Sequence, residues 1–179
     1  MTRYSVMPIA PVEAQTAWFE AGAVRIGVEY RRLTDAVAAA AELAEASGEE
    51  RGATTGLDDR GVALHVCGEQ DGGWREFLRF DCFAEDPHYH YVSWRDKANE
   101  MIHLDPVADG DPLHWALERI RTRLPQMLAR AGAPDVAARL DAAALEDALP
   151  HITRAAFRAR FEHDDEAALA GALAAGRRA

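Results

Sequence analysis

The sequence predicts an α+β protein: an antiparallel β-meander sheet of about five strands, with C-terminal helices packed on one of its faces. Three observations carry this expectation. Residues 24–31 and much of 61–105 alternate apolar and polar side chains, the period of half-buried strands. Turn-forming clusters at 69–73, 84–87 and 95–98 cut the second stretch into four short runs, and short turns make successive strands antiparallel. After Asp105 and Pro106 the apolar period changes to that of helices.

The 179 residues, 49% hydrophobic and 28% charged, suit a single domain over 1–179 with enough apolar surface for a core. An N-terminal strand, helix and loop occupy 1–60, the meander 61–105 and the helical part 111–163. Thr34 offers an N-cap for an Ala-rich helix that Gly48 ends. Residues 48–59 are polar and aperiodic, a loop that serves as a lid or stays disordered. Strands are expected over 61–68, 74–83, 88–94 and 99–105. Asp111 then caps a helix with Pro112 in its first turn, and Leu113, Leu117, Ile120, Leu124 and Leu128 give it one apolar face. Pro125 should kink that helix and Pro150 should break the next, because each removes a backbone donor.

Charge and composition exclude several function classes. A formal net charge of −10 leaves no positive footprint for nucleic acid or an anionic membrane. The first residues lack the apolar core of a signal peptide, and no apolar run approaches the roughly 18 residues that span a bilayer. Cys67 and Cys82 form no metal-binding or disulfide pattern, so reduced thiols and a cytoplasmic location are expected. Lys97 is the single lysine in an Ala- and Arg-rich chain, a bias associated with GC-rich bacterial genomes.

The chemistry concentrates after the second turn. On a strand, residues i and i+2 share a face, so His88 and His90 project to one side and Tyr89 and Tyr91 to the other. Counting turn lengths sets Phe77 opposite His65, Asp81 opposite His90, His90 opposite His103 and His88 opposite Asp105. One face then carries Val62, Leu64, Val66, Trp74, Leu78, Phe80, Cys82, Tyr89, Tyr91, Ile102 and Leu104. The other gathers Asp81, His88, His90, His103 and Asp105 at one end of the sheet, with His65 and Cys67 some rows away.

His88, His90, His103 and Asp105 are the candidate ligands of a divalent transition metal (Zn, Fe or Mn), with positions left open for a small-molecule ligand. Asp81 and His90 are the candidate catalytic pair, with Asp81 orienting the imidazole beside a metal or serving a metal-free acid/base reaction. A third reading leaves these side chains as satisfied groups on a binding module or accessory subunit. Arg75 and Arg79 either clamp a substrate carboxylate or pair with surface acids. Cys67 beside His65 is a packed side chain rather than a nucleophile. Phe77, Phe83, Val92, Trp94 and Met101 on the histidine face predict a homodimer or a covering loop.

The runs Leu78-Arg79-Phe80-Asp81-Cys82-Phe83 and Pro87-His88-Tyr89-His90-Tyr91, with Trp115 and Leu124-Pro125-Gln126-Met127-Leu128, resemble a family of small bacterial proteins of unknown function. That resemblance implies no activity and no catalytic residue. The His-x-His strand is also similar to that of cupins, but the cupin glycine spacing and following glutamate are absent.

Overall fold

Residues Ala17–Ala21 and Val24–Thr34 form a hairpin closed at Gly22, whose φ of 63° suits a residue without a Cβ. These are β2 and β3 of one antiparallel sheet in the computed structural model, which describes residues 2–4, 7–35, 56 and 58–176, and side chains as far as residue 163. The remaining strands are β1 (Thr2–Tyr4), β4 (Asp58–Gln70), β5 (Gly73–Phe83), β6 (His88–Ser93) and β7 (Ala98–His103). Their order is β1-β7-β6-β5-β4-β3-β2. The meander expected over 61–105 is therefore present, but the sheet has seven strands rather than about five. The extra strands are β1, added beside β7, and β2, added beside β3. Both are short, and neither carries enough alternation to stand out in sequence.

The β4–β5 turn is tighter than expected. Asp71 and Gly72 take positive φ values of 53° and 76°, the two-residue turn whose twist matches that of flanking strands. A bulge opposite Val66 and Cys67 then sets Glu76 against Cys67 and Leu78 against Val66. Phe77, expected on the histidine face, is thereby turned into the core at 2% exposure. Trp74 moves the other way: it pairs with Glu69 and lies over the Arg25 guanidinium at 5.3 Å.

Apolar rows run across the helix-covered face, such as Val28–Leu64–Phe80–Tyr89–Ile102 and Ile26–Val66–Leu78–Tyr91. Four helices follow: α1 (Pro106–Asp109), α2 (Pro112–Arg130), α3 (Pro134–Ala138) and α4 (Ala142–Gly176). Leu113, Ile120, Leu124 and Leu128 of α2 and Leu145, Leu149 and Ile152 of α4 close the core over those rows. Each such side chain contributes about 1.5–3 kcal/mol by leaving water. No helix among the described residues is long and apolar enough to cross a membrane.

Asp111 caps α2 as expected, its carboxylate accepting from the His114 amide at 2.9 Å. Pro125 and Pro150, expected to kink or break their helices, lie inside α2 and α4. Both sit on exposed turns, as do Arg121 and Glu146 four residues earlier, so the carbonyls they leave unbonded face water. Thr34 ends β3, and Asp58 and Asp59, expected in a loop, open β4. Most of the expected helix after Thr34 and of the 48–59 loop lies outside the described residues. Cys67 and Cys82 are free and belong to opposite faces of the sheet.

Candidate functional site

Pro87 ends the β5–β6 loop, and the His-Tyr-His-Tyr alternation of β6 sends both imidazoles away from the helices. Asp81 lies directly opposite His88, and Arg79 opposite His90. On the next strand His103 is opposite His88, and Met101 opposite His90. Both hairpins are thus displaced by two residues from the register that turn counting gave: six residues, 82–87, separate the last β5–β6 pair, and the four-residue β6–β7 turn falls at 94–97 rather than at 95–98. A displacement of two keeps every side chain on its face and changes only its row.

The result is a tight cluster of Asp81, His88 and His90, whose ligand atoms all lie within 4.8 Å of one another. The Asp81 Oδ2 is 3.4 Å from His88 Nε2 and 3.3 Å from His90 Nε2. The two rings are nearly perpendicular, at 80°, with centroids 5.0 Å apart. Their other nitrogens are engaged: His88 Nδ1 donates to the Asp86 carbonyl at 2.7 Å, and His90 Nδ1 to the Asn99 side-chain oxygen at 3.0 Å. A neutral ring that donates through Nδ1 carries its lone pair on Nε2. With Nδ1 donating, each Nε2 faces the one carboxylate, as an N–H where the ring is protonated and as a lone pair where it is neutral.

That carboxylate is 4% exposed, and its second oxygen, Oδ1, is buried without a hydrogen-bond partner among the described residues. Burial favours its neutral form, but the close approach of the His88 and His90 imidazoles and the charge of Arg79 outweigh this, so Asp81 titrates well below the usual carboxylate range. Burial likewise opposes a charged His88. The Asp81 carboxylate and the Asp86 carbonyl prevail, and its pKa lies above the ordinary value.

Beside the cluster lies a buried ionic network that sequence reasoning missed. His65 is fully buried between two carboxylates, with Nδ1 2.6 Å from Glu76 Oε1 and Nε2 3.1 Å from Glu29 Oε2. Only a ring protonated on both nitrogens donates to both. Arg79 pairs with Glu76 through Nε at 3.0 Å and a terminal nitrogen at 2.6 Å, and Arg31 donates to the Ile9 and Ala10 carbonyls at 3.2 and 3.3 Å. Arg79 and His65 hold Glu76 down to about 2 against its burial. The register places His65 opposite Arg79, in the same row as His90 rather than rows away. Arg79 is therefore committed to Glu76, and Arg75 pairs with Asp71 at 3.2 Å. Burial and the Glu76 charge push the Cys67 thiol up to about 12, which leaves it no nucleophilic character near neutral pH.

Of the five residues the sequence nominated, the structure brings together three. His103 is half exposed and its Nδ1 is bonded to Asp86 Oδ1 at 2.7 Å. Asp105 lies past the end of β7 and caps α1, accepting from the Val107 amide at 2.9 Å. Asn99 could have been found by its place on the same strand face as Met101, but only the true register shows it beneath His90.

The fold and site together define a seven-stranded α+β protein with a buried His–His–Asp cluster on the sheet face opposite the helices. The chain belongs to the family described as Domain of unknown function (DUF7700), which matches residues 18–156 and so includes all three cluster residues. No curated protein and no solved structure matches the chain.

Proposed function

We propose that Asp81, His88 and His90 hold a divalent transition metal, and that the protein uses it as an enzyme on a small polar molecule. The observation that carries this reading is the convergence of two imidazole Nε2 atoms on a buried carboxylate, with both Nδ1 atoms already donating. Metal-binding histidines typically give their second nitrogen to a carbonyl or carboxylate in this way, which fixes both tautomer and ring orientation. Separations of 3.3 and 3.4 Å exceed those of charge-assisted hydrogen bonds. They suit atoms sharing one ion at bond lengths of about 2.0–2.1 Å.

Two imidazoles and one carboxylate fit Zn, Fe or Mn, and three protein ligands leave positions for water and substrate. A metal there would polarise a bound carbonyl or activate a bound water. The metal-free alternative, Asp81 and His90 as an acid/base pair, leaves Asp81 Oδ1 buried with no hydrogen-bond partner among the described residues, whereas a bound ion would add a positive charge at the carboxylate beside that of Arg79.

The test is a titration of untagged, chelator-stripped protein with Co²⁺, followed by visible absorption. The wild type should develop the bands of a coordinated ion, and Asp81→Asn should not. Equal spectra for the two proteins would remove Asp81 from the site and with it this reading.

A further inference from the structure

Asp59 is the second residue of β4, opposite Leu33, and is 5% exposed. Its carboxylate collects three backbone N–H groups. Oδ1 accepts from Arg60 at 2.8 Å and Glu85 at 3.1 Å, and Oδ2 accepts from Asp86 at 2.9 Å. Two of these donors belong to the loop that joins β5 to β6. The same loop is held by the Ala84 amide, which donates to the Arg60 carbonyl at 3.0 Å.

Asp86 is where this anchoring meets the cluster. Its amide is fixed by Asp59, and its carbonyl accepts the Nδ1–H of His88 at 2.7 Å. The position of that carbonyl decides which His88 nitrogen carries hydrogen and where Nε2 points. His90 has an independent support, the Asn99 side chain on β7. The two rings of the cluster are therefore oriented from opposite sides, one by a loop and one by a strand.

We propose that Asp59 is the positioning residue for His88: it locks the β5–β6 loop so that the Asp86 carbonyl holds the imidazole with Nε2 toward Asp81. A charged acceptor makes stronger hydrogen bonds to backbone N–H than a neutral one, which suits a role that needs a loop held still. The consequence for metal affinity rests on the metal reading above, but the orientation of His88 does not.

The experiment uses full-length untagged protein with ¹⁵N-labelled histidine, comparing wild type, Asp59→Ala and Asp59→Asn. The asparagine variant keeps the volume and one acceptor, while placing a donor where the Asp86 amide also donates, so it decides the matter if the alanine variant does not fold. In the metal-free proteins, the hydrogen-bonded Nδ1–H resonances of both His88 and His90 should be visible for wild type. The variants should lose that of His88 and keep that of His90. Zn²⁺ affinity should fall about 10–100-fold with the stoichiometry unchanged. Retention of the His88 resonance, or loss of both resonances together, overturns the proposal. A wild type that takes no Zn²⁺, with His88 still selectively released in the variants, overturns the metal reading and leaves the positioning role standing.

Discussion

Asp81 and His88 face each other across β5 and β6, with Oδ2 3.4 Å from Nε2, and His90 approaches the same oxygen from the next row. This one cross-strand pair converts a two-histidine strand into a three-residue cluster. Its burial, at 4% exposure for Asp81 and 7% for His88, removes the water that would otherwise satisfy the carboxylate.

His90→Ala should abolish metal binding and leave the fold intact. The ring lies on a polar sheet face, so its removal opens no apolar cavity, and the broken Asn99 and Asp81 contacts cost about 1–3 kcal/mol. Metal titration alongside urea unfolding checks both halves.

His103→Ala and Asp105→Ala should each bind metal as the wild type does. His103 is bonded to Asp86 and half exposed, and Asp105 caps α1. The loss of that cap should lower stability by about 1 kcal/mol. A drop in metal affinity of tenfold or more in Asp105→Ala would place it nearer the cluster than the register does.

Acid should weaken the protein through Glu76. Its pKa is held at about 2 in the fold against an ordinary 4.5, so the folded state binds its proton less readily than the unfolded chain. The resulting stability, roughly 3 kcal/mol, is fully present above about pH 4.5 and disappears as the pH falls toward 2. Glu76→Gln should flatten this part of the stability–pH curve. Glu76→Ala should cost about 3–5 kcal/mol at neutral pH, because Arg79 and His65 are left buried without a shared partner.

Leu124→Ala should destabilise the protein by about 2–5 kcal/mol, since this fully buried side chain joins α2 to the sheet. Metal affinity measured in the folded state should be unchanged, as the cluster lies on the opposite face of the sheet.

The alternation of His88-Tyr89-His90-Tyr91 was sufficient to assign faces, because strand side chains repeat every two residues whatever the register. The partners were harder to read. Counting residues 84–87 as a minimal turn paired Asp81 with His90, whereas the loop, tied back by Asp59, is wider and pairs Asp81 with His88. An equal displacement of β7 leaves Asp105 past the end of the strand, and His103, although opposite His88, turns to Asp86 instead. The bulge beside Cys67 leaves no mark in the sequence, yet it turns Phe77 into the core and brings Glu76 beside His65. Of the apolar residues from which a dimer was expected, Phe77, Phe83 and Val92 are buried within the chain and Trp94 is exposed. Glu29, His65 and Glu76 were invisible as a network because they come from three strands, and the contact of His65 with Glu76 depends on that bulge.

The most direct measurement is the metal stoichiometry of untagged protein, stripped with chelator and titrated with Zn²⁺ by calorimetry, beside the double variant His88→Ala/His90→Ala. A site built from Asp81, His88 and His90 predicts one equivalent bound by the wild type and none by the variant. A wild type that binds no Zn²⁺, Mn²⁺ or Fe²⁺, or a variant that binds as much as the wild type, would contradict it.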